Sequence, residues 1–233
     1  MNKPAGLLVH RSPIDRHETR FALQLLRDQL GHRVYPVHRL DKPTSGILLF
    51  GQTPEAAAAL ADQFARRMAG KTYIAIVRGW CPEQGAIDHP LTEDRDAAMG
   101  SGNPMLPRTQ DAVTLFQRLA TANLPVAVDR YPSTRYSLVL LHPITGRRHQ
   151  LRRHLKHISH PIVGDANHGK GVHNRFFQRH FNCHRLLLAC IRLNLQHPTL
   201  GSALQLRARP GREFEAVAAA LGWQSALEAA LTE

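Results

Sequence analysis

Cysteine, aromatic residues and long apolar runs are all scarce in this chain of 233 residues. Its three cysteines include no Cys-x-x-Cys pair, so neither a disulfide framework nor a zinc knuckle is indicated. The longest apolar run, residues 186–191, is far shorter than the roughly 18 residues of a membrane span. The N-terminus also has no apolar core of signal-peptide length. These absences favour a protein of the reducing cytoplasm, with no membrane partner and no obligate protein partner.

Acidic residues are few as well, with 18 Asp and Glu against 30 Lys and Arg and a formal net charge of +12. The excess is concentrated between residues 142 and 185, where nine lysines and arginines and one acid give a local charge of +8. Nine of the fifteen histidines lie in the same segment. Such a concentration favours a partner with a phosphate backbone, because each neutralised phosphate releases condensed counterions. A solvated basic face without a ligand is the alternative.

The rest of the composition is that of a globular protein, with 43% hydrophobic residues. Apolar residues follow periods of about two or about 3.6 residues, and turns rich in glycine and proline separate the segments. Because turns join most of the predicted strands, we expect a single domain with an α+β fold, a largely antiparallel sheet and flanking helices. Strands are predicted at residues 34–37, 46–50, 71–77, 112–120, 135–141, 186–195 and 204–207, helices at 17–30, 54–68, 147–158 and 212–221, a mobile loop at 93–110 and a basic, glycine-rich loop between 159 and 185.

One carboxylate lies on a predicted loop between two strands, within residues 38–46 (HRLDKPTSG). Asp41 has His38 and Arg39 on one side and Lys42 on the other. Loops held by a sheet are common positions for catalytic groups. An Arg–Asp pair that only fixes the loop is the alternative interpretation of this segment.

Residues 145–154 (TGRRHQLRRH) open a predicted helix. Its apolar stripe contains Leu151 and Leu155 and must face the core. Arg152 lies about 60° around the helix from Leu155, since successive residues are about 100° apart, so it borders the buried stripe. A guanidinium in that position needs an anion, and Asp41 is the candidate. Their ion pair would keep the carboxylate ionised and fixed.

The other side of the same helix carries Arg153 and Lys156, which we expect to point toward solvent or phosphate. A wet basic turn without a ligand is the alternative. A metal site is also conceivable from the histidines in or beside the helix, because two of them have i, i+3 spacing. No Asp, Glu or Cys lies nearby in sequence to complete such a site, so we expect no metal and histidines that extend the surface facing the phosphate backbone of the partner. The histidines concerned are His149, His154, His157 and His160.

Tyr73 lies at the start of a predicted strand, in residues 71–73 (KTY), and is one of only four tyrosines. Its ring can stack on a nucleobase whatever the identity of that base, and its hydroxyl can accept or relay a proton. Packing in the core is the commoner role of a tyrosine on a strand.

The three segments HRLDKPTSG, KTY and TGRRHQLRRH, in this order and at these separations, resemble the active-site motifs of the RluA-type pseudouridine synthases. Residues 2–6 (NKPAG) and 160–165 (HPIVGD) resemble two further segments of that family, so the resemblance covers nearly the whole chain. It implies a pseudouridine synthase fold with a central basic cleft, and an isomerase that converts uridine to pseudouridine in RNA. It also implies no metal or organic cofactor, because substrate and product are isomers.

The resemblance extends to individual residues. Asp41 corresponds to the family's essential aspartate, required to detach uracil from C1′ and to re-attach it through C5. Arg39 corresponds to the arginine that replaces the flipped-out base, and Tyr73 to the aromatic that stacks on that base and helps to remove the C5 proton. Arg152 corresponds to the arginine paired with the catalytic carboxylate, and Leu151 to the adjacent pocket wall. Further candidates for substrate binding are His38, Arg148, Arg153 and Lys156.

Three segments favour a particular substrate within the family: residues 130–136, 152–153 and 159–168 resemble most closely the members that modify uridine 65 of transfer RNA. A ribosomal RNA pseudouridine synthase and a non-catalytic RNA-binding protein are the alternatives. The family usually has a strand before the NKPAG segment, but Met1 directly precedes it here, so either the start codon is misassigned or that strand is missing. No S4-like RNA-binding segment is recognisable. We therefore expect one catalytic domain, residues 1–233, to recognise RNA by itself.

Overall fold

The computed structural model of the protein describes residues 1–11, 17–92 and 108–232. Most of the predicted loop at 93–110 therefore lies outside the described residues. The strands are β1 Asn2–Lys3, β2 Tyr35–Pro36, β3 Ser45–Ile47, β4 Phe50–Gly51, β5 Gly70–Arg78, β6 Gln84–Asp88, β7 Leu91–Thr92, β8 Thr109–Gln110, β9 Val113–Leu124, β10 Thr134–Pro143, β11 Leu188–Gln196 and β12 Ala203–Arg207. The helices are α1 Ala22–Leu30, α2 Pro54–Ala65, α3 Gln150–His157, α4 Gly171–Phe181, α5 Arg212–Ala220 and α6 Gln224–Thr232.

Eight of the described strands form one sheet, in the order β1-β3-β11-β5-β10-β9-β6, with β12 paired to β11. Its pairs are antiparallel except for β3 with β11, which is parallel. Two small two-stranded sheets, β2 with β4 and β7 with β8, accompany it. This arrangement confirms the predicted α+β fold with a largely antiparallel sheet.

The central strands β5 and β10 are buried on both faces, and alternate side chains enter two apolar clusters. Ile74 and Ile76 join the cluster that includes side chains of α4, α5 and α6. Ala75 and Val77 join the opposite cluster, which includes Leu155 of α3. The apolar stripe of α3 therefore faces the core, as predicted, and attaches this helix to the sheet beside its central strands.

The predicted loop between residues 159 and 185 is wrong in its second half, which forms α4. Phe177 is buried on the inner side of this helix, and Phe176 and Phe181 pack against the same cluster. Basic and polar residues fill the remaining positions and obscure the helical period in the sequence. The helix ends at Asn182, whose left-handed backbone has φ 49°. Strand β6 and helix α6 are further additions to the predicted elements.

Two helices begin later than predicted, for reasons of backbone conformation. Phe21 is extended, with φ −133° and ψ 144°, and forms a β-bridge with Leu8, so α1 begins at Ala22. His149 is left-handed, with φ 54° and ψ 22°, so α3 begins at Gln150. A positive φ is uncommon for a residue with a side chain and interrupts a helix. The residues before His149 consequently form a turn.

The three cysteines are buried and free. Among the described residues, no helix combines the length and the apolar character needed to cross a membrane. The first strand of the sheet, β1, lies within the NKPAG segment itself and pairs antiparallel with β3.

Candidate active site

A cavity of about 650 Å³ lies where the β2–β3 loop, the start of β5 and the turn before α3 meet. Six lysines and arginines and one acid, Asp41, are among the residues that line it. The cavity brings together most of the side chains predicted to form the site. They are His38, Arg39, Asp41, Tyr73, Arg148, Leu151 and Arg152.

The other two predicted site residues, Arg153 and Lys156, lie outside this lining on the far side of α3. Arg153 donates a hydrogen bond from Nη1 to the carbonyl oxygen of Thr92 at 2.9 Å, and Lys156 is exposed. Leu155 is fully buried and Arg152 is only 4% exposed. The orientation predicted for α3 is therefore confirmed.

The loop that carries Asp41 is held by the NKPAG segment. Lys3 is completely buried, and its Nζ donates to three carbonyl oxygens, those of Pro4, Leu7 and Lys42, at 3.0, 2.7 and 3.1 Å. Burial lowers the pKa of Lys3 to about 7, and the nearby carboxylate of Asp41 opposes this shift. Residues 2–6 thus fix the backbone of the residue that follows Asp41.

Arg152 connects Asp41 with a second, more deeply buried carboxylate. Its Nη1 donates to Oδ2 of Asp41 at 3.2 Å. Its Nε and Nη2 donate to Oδ2 and Oδ1 of Asp165 at 2.7 and 2.8 Å. The predicted pair of Arg152 with Asp41 is present, but the bidentate pair with Asp165 has the stronger geometry. Asp165 therefore orients the guanidinium, which offers one further N–H group to Asp41.

Asp165 is a site residue to which the sequence interpretation gave no role. Backbone amides of Asn167 and His168 also donate to its Oδ1, both at 3.0 Å. Burial alone would raise the pKa of Asp165, but the hydrogen bonds from Arg152 and from these amides outweigh burial and lower it. The sequence does hold a clue, since Asp165 is the one acid of the basic segment 142–185.

Tyr73 forms part of the cavity wall and is partly buried. Burial raises the pKa of Tyr73 well above its usual value, and a hydrogen bond with the thiol of Cys190 adds to the shift. Its phenol is therefore protonated at neutral pH and is not available as a phenolate base. The ring also packs against two apolar clusters, so core packing is present, and stacking on a nucleobase stays a prediction.

His38 is fixed by the fold. Its Nε2 accepts a hydrogen bond from the amide of Leu49 at 3.1 Å, and its ring stacks on Phe64 with the centroids 4.6 Å apart. Burial lowers the pKa of His38 to about 4, so the imidazole is neutral at physiological pH. Its side chain anchors the start of the loop that leads to Asp41.

The four histidines of the metal interpretation are dispersed. His149 lies in the cavity, with Nε2 3.9 Å from Oδ2 of Asp41, and burial lowers the pKa of His149 against the effect of that carboxylate. His154 is fully buried and hydrogen-bonds the carbonyl oxygen of His89 at 3.0 Å, so the prediction of an RNA-facing surface is wrong for this residue. His157 stacks on the ring of His89. Within the described ranges no group of three or more His, Cys, Asp or Glu could hold a metal ion.

The turn before α3 depends on the buried side chain of Gln150, which the sequence does not single out. Its Oε1 accepts hydrogen bonds from the Thr145 hydroxyl at 2.7 Å and the Arg147 amide at 2.9 Å. Its Nε2 donates to the Val113 carbonyl oxygen and the Thr114 hydroxyl, both at 3.0 Å. Two donors and two acceptor positions of the amide are thus satisfied. Gln150 therefore connects the arginine-rich turn with the start of β9.

The sequence profile described as RNA pseudouridylate synthase matches residues 1–157. This chain therefore belongs to the RNA pseudouridylate synthase family, a family of isomerases. The tRNA pseudouridine synthase C of Vibrio cholerae is 46% identical over 227 residues, which cover 97% of this chain and 93% of that protein. The tRNA pseudouridine synthase C of Pasteurella multocida is 50% identical over 198 residues, which cover 85% of this chain and 82% of that protein. The family inferred from the motifs is confirmed.

Two solved structures share the fold. Human RNA Pseudouridylate Synthase Domain Containing 4 matches with a TM-score of 0.68 and 25% identity, over 95% of this chain and 88% of that one. Human RNA Pseudouridylate Synthase Domain Containing 1 matches with a TM-score of 0.67 and 24% identity, over 89% of this chain and 78% of that one. These matches confirm the predicted pseudouridine synthase fold.

Proposed function

We propose that this chain converts uridine 65 of transfer RNA to pseudouridine, with Asp41 as the catalytic carboxylate. The observation that carries the proposal is the carboxylate of Asp41, held by Arg152 at 3.2 Å in a cavity that Tyr73 also lines. The transfer RNA substrate is supported by the relatives, which are named for it, and the position by the resemblance of residues 130–136 and 159–168. A single catalytic domain in the cytoplasm, acting without a cofactor, completes the proposal.

The reaction breaks the bond between C1′ and N1 of uridine, turns the uracil, and joins C5 to C1′. The C5 proton leaves and N1 carries a proton in the product, so the atoms balance without a co-reactant. Asp41 acts on the ribose, either by bonding to C1′ or by taking the C2′ proton. Arg152 supports both routes because its Nη1 donates to Oδ2 of Asp41 and holds the carboxylate in place. Tyr73 provides a ring on which the uracil can stack while it is detached.

The remaining residues serve extraction and binding of the nucleotide. A uridine in a folded RNA must leave its stack before C1′ can be reached. Arg39 is exposed at the cavity beside Asp41, where its guanidinium can fill the space that the uridine vacates. Leu151 forms apolar wall, Arg148 binds phosphate, and His38 positions the loop. Arg153 and Lys156 extend the basic surface along the outer side of α3.

Asp41→Asn tests this proposal. The amide keeps the shape of the side chain but neither its charge nor its basicity, so pseudouridine formation should be lost while RNA affinity is retained. Pseudouridines are mapped with carbodiimide in RNA from a strain that lacks the gene and carries either the wild-type or the variant copy. Filter binding measures the affinity. Asp28→Asn, an exposed acid on α1, is the matched control and should restore full modification.

The same mapping distinguishes the alternatives. Restoration of pseudouridine only in ribosomal RNA would contradict the transfer RNA substrate. Absence of pseudouridine in every RNA treated with the wild-type protein, with binding intact, would identify a non-catalytic RNA-binding protein. An active Asp41→Asn variant would overturn the assignment of the catalytic residue.

A further inference from the structure

A second cavity, of about 460 Å³, lies at the opposite end of β5 and β10 from the active site. In the register of these strands Tyr73 faces Leu141 and Arg78 faces Tyr136, so five residues of β5, about 17 Å of strand, separate the two cavities. The lining of the second cavity is built largely from residues 131–135. These belong to the segment 130–136, to which the proposed reaction gives no role.

Two guanidinium groups line this cavity without an acidic partner there. Arg78 is half-buried, and its side chain makes no hydrogen bond or ion pair with any residue in the described ranges. Arg135 lies over the ring of Trp80 at 4.2 Å, which leaves its N–H edge available. The acid in the lining, Asp129, is paired with Lys170. A partly desolvated guanidinium is stabilised by an anion, and a phosphate matches its geometry.

The wall behind these arginines contains a buried histidine with an unused nitrogen. His173 is 4% exposed, and its Nδ1 is 2.8 Å from the hydroxyl of Tyr136. Burial lowers the pKa of His173 to about 4, so the ring is neutral. Of the buried side-chain nitrogens and oxygens in the described part of the chain, its Nε2 is the one with no hydrogen-bond partner. Such atoms are rare in native proteins and call for an explanation.

Two exposed aromatic side chains lie at or beside this opening: Tyr131 is in its lining, and Trp80 lies under the guanidinium of Arg135. Tyr131 is 59% exposed and Trp80 is 46% exposed, although large aromatic groups are normally covered. Guanidinium groups beside exposed rings are the combination by which proteins hold a nucleic-acid strand, with phosphates on the cations and bases on the rings. The basic segment 142–185 also reaches both cavities, through Arg148 at the first and His173 at the second.

We propose that the second cavity binds a phosphodiester group and the adjoining base of the RNA substrate, away from the uridine that reacts. This inference rests on the proposed function in one respect, since it takes RNA to be the substrate. Arg78 and Arg135 hold the phosphate, and Tyr131 stacks on the base.

The test is RNA affinity as a function of salt, measured by fluorescence anisotropy with transcribed transfer RNA. Arg135→Gln and Arg78→Gln should each weaken binding and reduce the slope of log Kd against log salt by about one. Tyr131→Ala should weaken binding about tenfold without changing the slope, because stacking releases no counterions. Arg27→Gln on α1 is the charge-matched control and should change neither quantity. If Arg78→Gln does not fold, Arg135→Gln and Tyr131→Ala, both at exposed positions, are sufficient.

Single-turnover kinetics separate this site from the catalytic one. At saturating enzyme, the three variants should form pseudouridine at the wild-type rate but need more enzyme for half-saturation. If the slopes of log Kd against log salt for Arg78→Gln and Arg135→Gln equal the slope for Arg27→Gln, the proposal is overturned. Uridine monophosphate binding at this cavity while the variants leave RNA affinity unchanged would also overturn it, because that result describes a site for small anions.

Repeating the binding series in the Asp41→Asn protein makes it independent of turnover. Slopes that depend on Arg78 and Arg135, together with a wild-type protein that forms no pseudouridine in any RNA, would contradict the proposed function and support this second site. Full activity with unchanged slopes would do the reverse.

Discussion

Arg152 serves two carboxylates whose surroundings differ. Asp165 is 1% exposed and takes both the Nε and Nη2 donors, whereas Asp41 is 19% exposed and takes only Nη1. The buried carboxylate balances the charge that the helix brings into the protein interior. Asp41 can then face the cavity and remain available to a substrate. Asp165 is accordingly a positioning residue. Its loss should lower the rate of pseudouridine formation but not the affinity for RNA.

Asp165→Asn should lower the rate of pseudouridine formation at saturating RNA and leave the Kd for RNA unchanged, because Arg152 loses the charge that orients it. Removal of one member of a buried ion pair typically costs about 3–5 kcal/mol of stability. The pKa of Asp165 is lowered in the folded protein, so its stabilisation is complete above the unfolded pKa of about 3.9 and is lost as pH falls through the folded pKa. The midpoint temperature of thermal unfolding should therefore be higher for the wild type than for the variant at pH 7, and this difference should become smaller in acid.

The outcome that would contradict this role is a variant with wild-type kinetics at saturating RNA, or a gap in stability that does not narrow in acid. Asp28→Asn, at an exposed position on α1, should show neither effect.

Elements whose properties are local could be predicted from the sequence, and those that depend on distant contacts could not. The stripe of Leu151 and Leu155 fixed the orientation of α3 because helical geometry is set by neighbouring residues. The approach of Asp165 to Arg152 instead requires the turn at Gly164, where φ is 81° and a Cβ would lie 1.9 Å from the carbonyl oxygen of Arg185. Only the packed fold reveals that close approach.

The NKPAG segment is a second case of distant dependence, since Lys3 bonds the carbonyl oxygen of Lys42, 39 residues away. No local pattern in the sequence gives the buried ammonium group its three acceptors. The motif resemblance identified the segment, and its function in holding the Asp41 loop comes from the structure.

Lys3→Met should loosen the Asp41 loop, since it keeps the length of the side chain and removes three hydrogen bonds. We expect slower pseudouridine formation and lower stability. Burial lowers the pKa of Lys3 to about 7, whereas an unfolded lysine titrates near about 10.4. Between these two pH values Lys3 is protonated in the unfolded chain but not in the folded one. The free energy of unfolding of the wild type therefore rises with pH over this range, and that of the variant lacks this rise.

Denaturant unfolding between pH 7 and pH 10 measures that difference. Lys156→Met, at an exposed lysine on α3, is the matched control and should follow the wild-type pH dependence. Parallel pH profiles for wild type and Lys3→Met would show that Lys3 stays charged in the folded protein.

Across the whole molecule, the positive charge is divided among surfaces with different neighbours. Arg148 and Arg152 line the cavity that contains Asp41, whereas Lys156 lies on the exposed side of α3. Composition predicts a phosphate partner but not which cations face it, because that depends on how α3 and α4 pack on the sheet. His154 illustrates the limit, since it belongs to the basic segment but is fully buried.

The outer side of α3 gives the remaining prediction. Arg153→Ala combined with Lys156→Ala should weaken RNA binding and reduce its salt slope by about one for each phosphate that is no longer neutralised. The physical reason is that the inner side of this helix lines the cavity that contains Asp41, so RNA bound with its uridine in that cavity would pass close to the outer side of the helix. The rate at saturating enzyme should be unchanged, because neither side chain lines the cavity.

Arg153 also donates a hydrogen bond to the carbonyl oxygen of Thr92 in β7. Its removal therefore takes away a contact with β7 as well as a positive charge. The single variant Lys156→Ala separates the two effects, because Lys156 is exposed and its substitution changes charge without removing that hydrogen bond. Arg27→Gln again controls for net charge. A salt slope that stays at the wild-type value in both Lys156→Ala and the double variant would place this side of α3 away from the RNA, and would leave the two cavities as the main sites of phosphate binding.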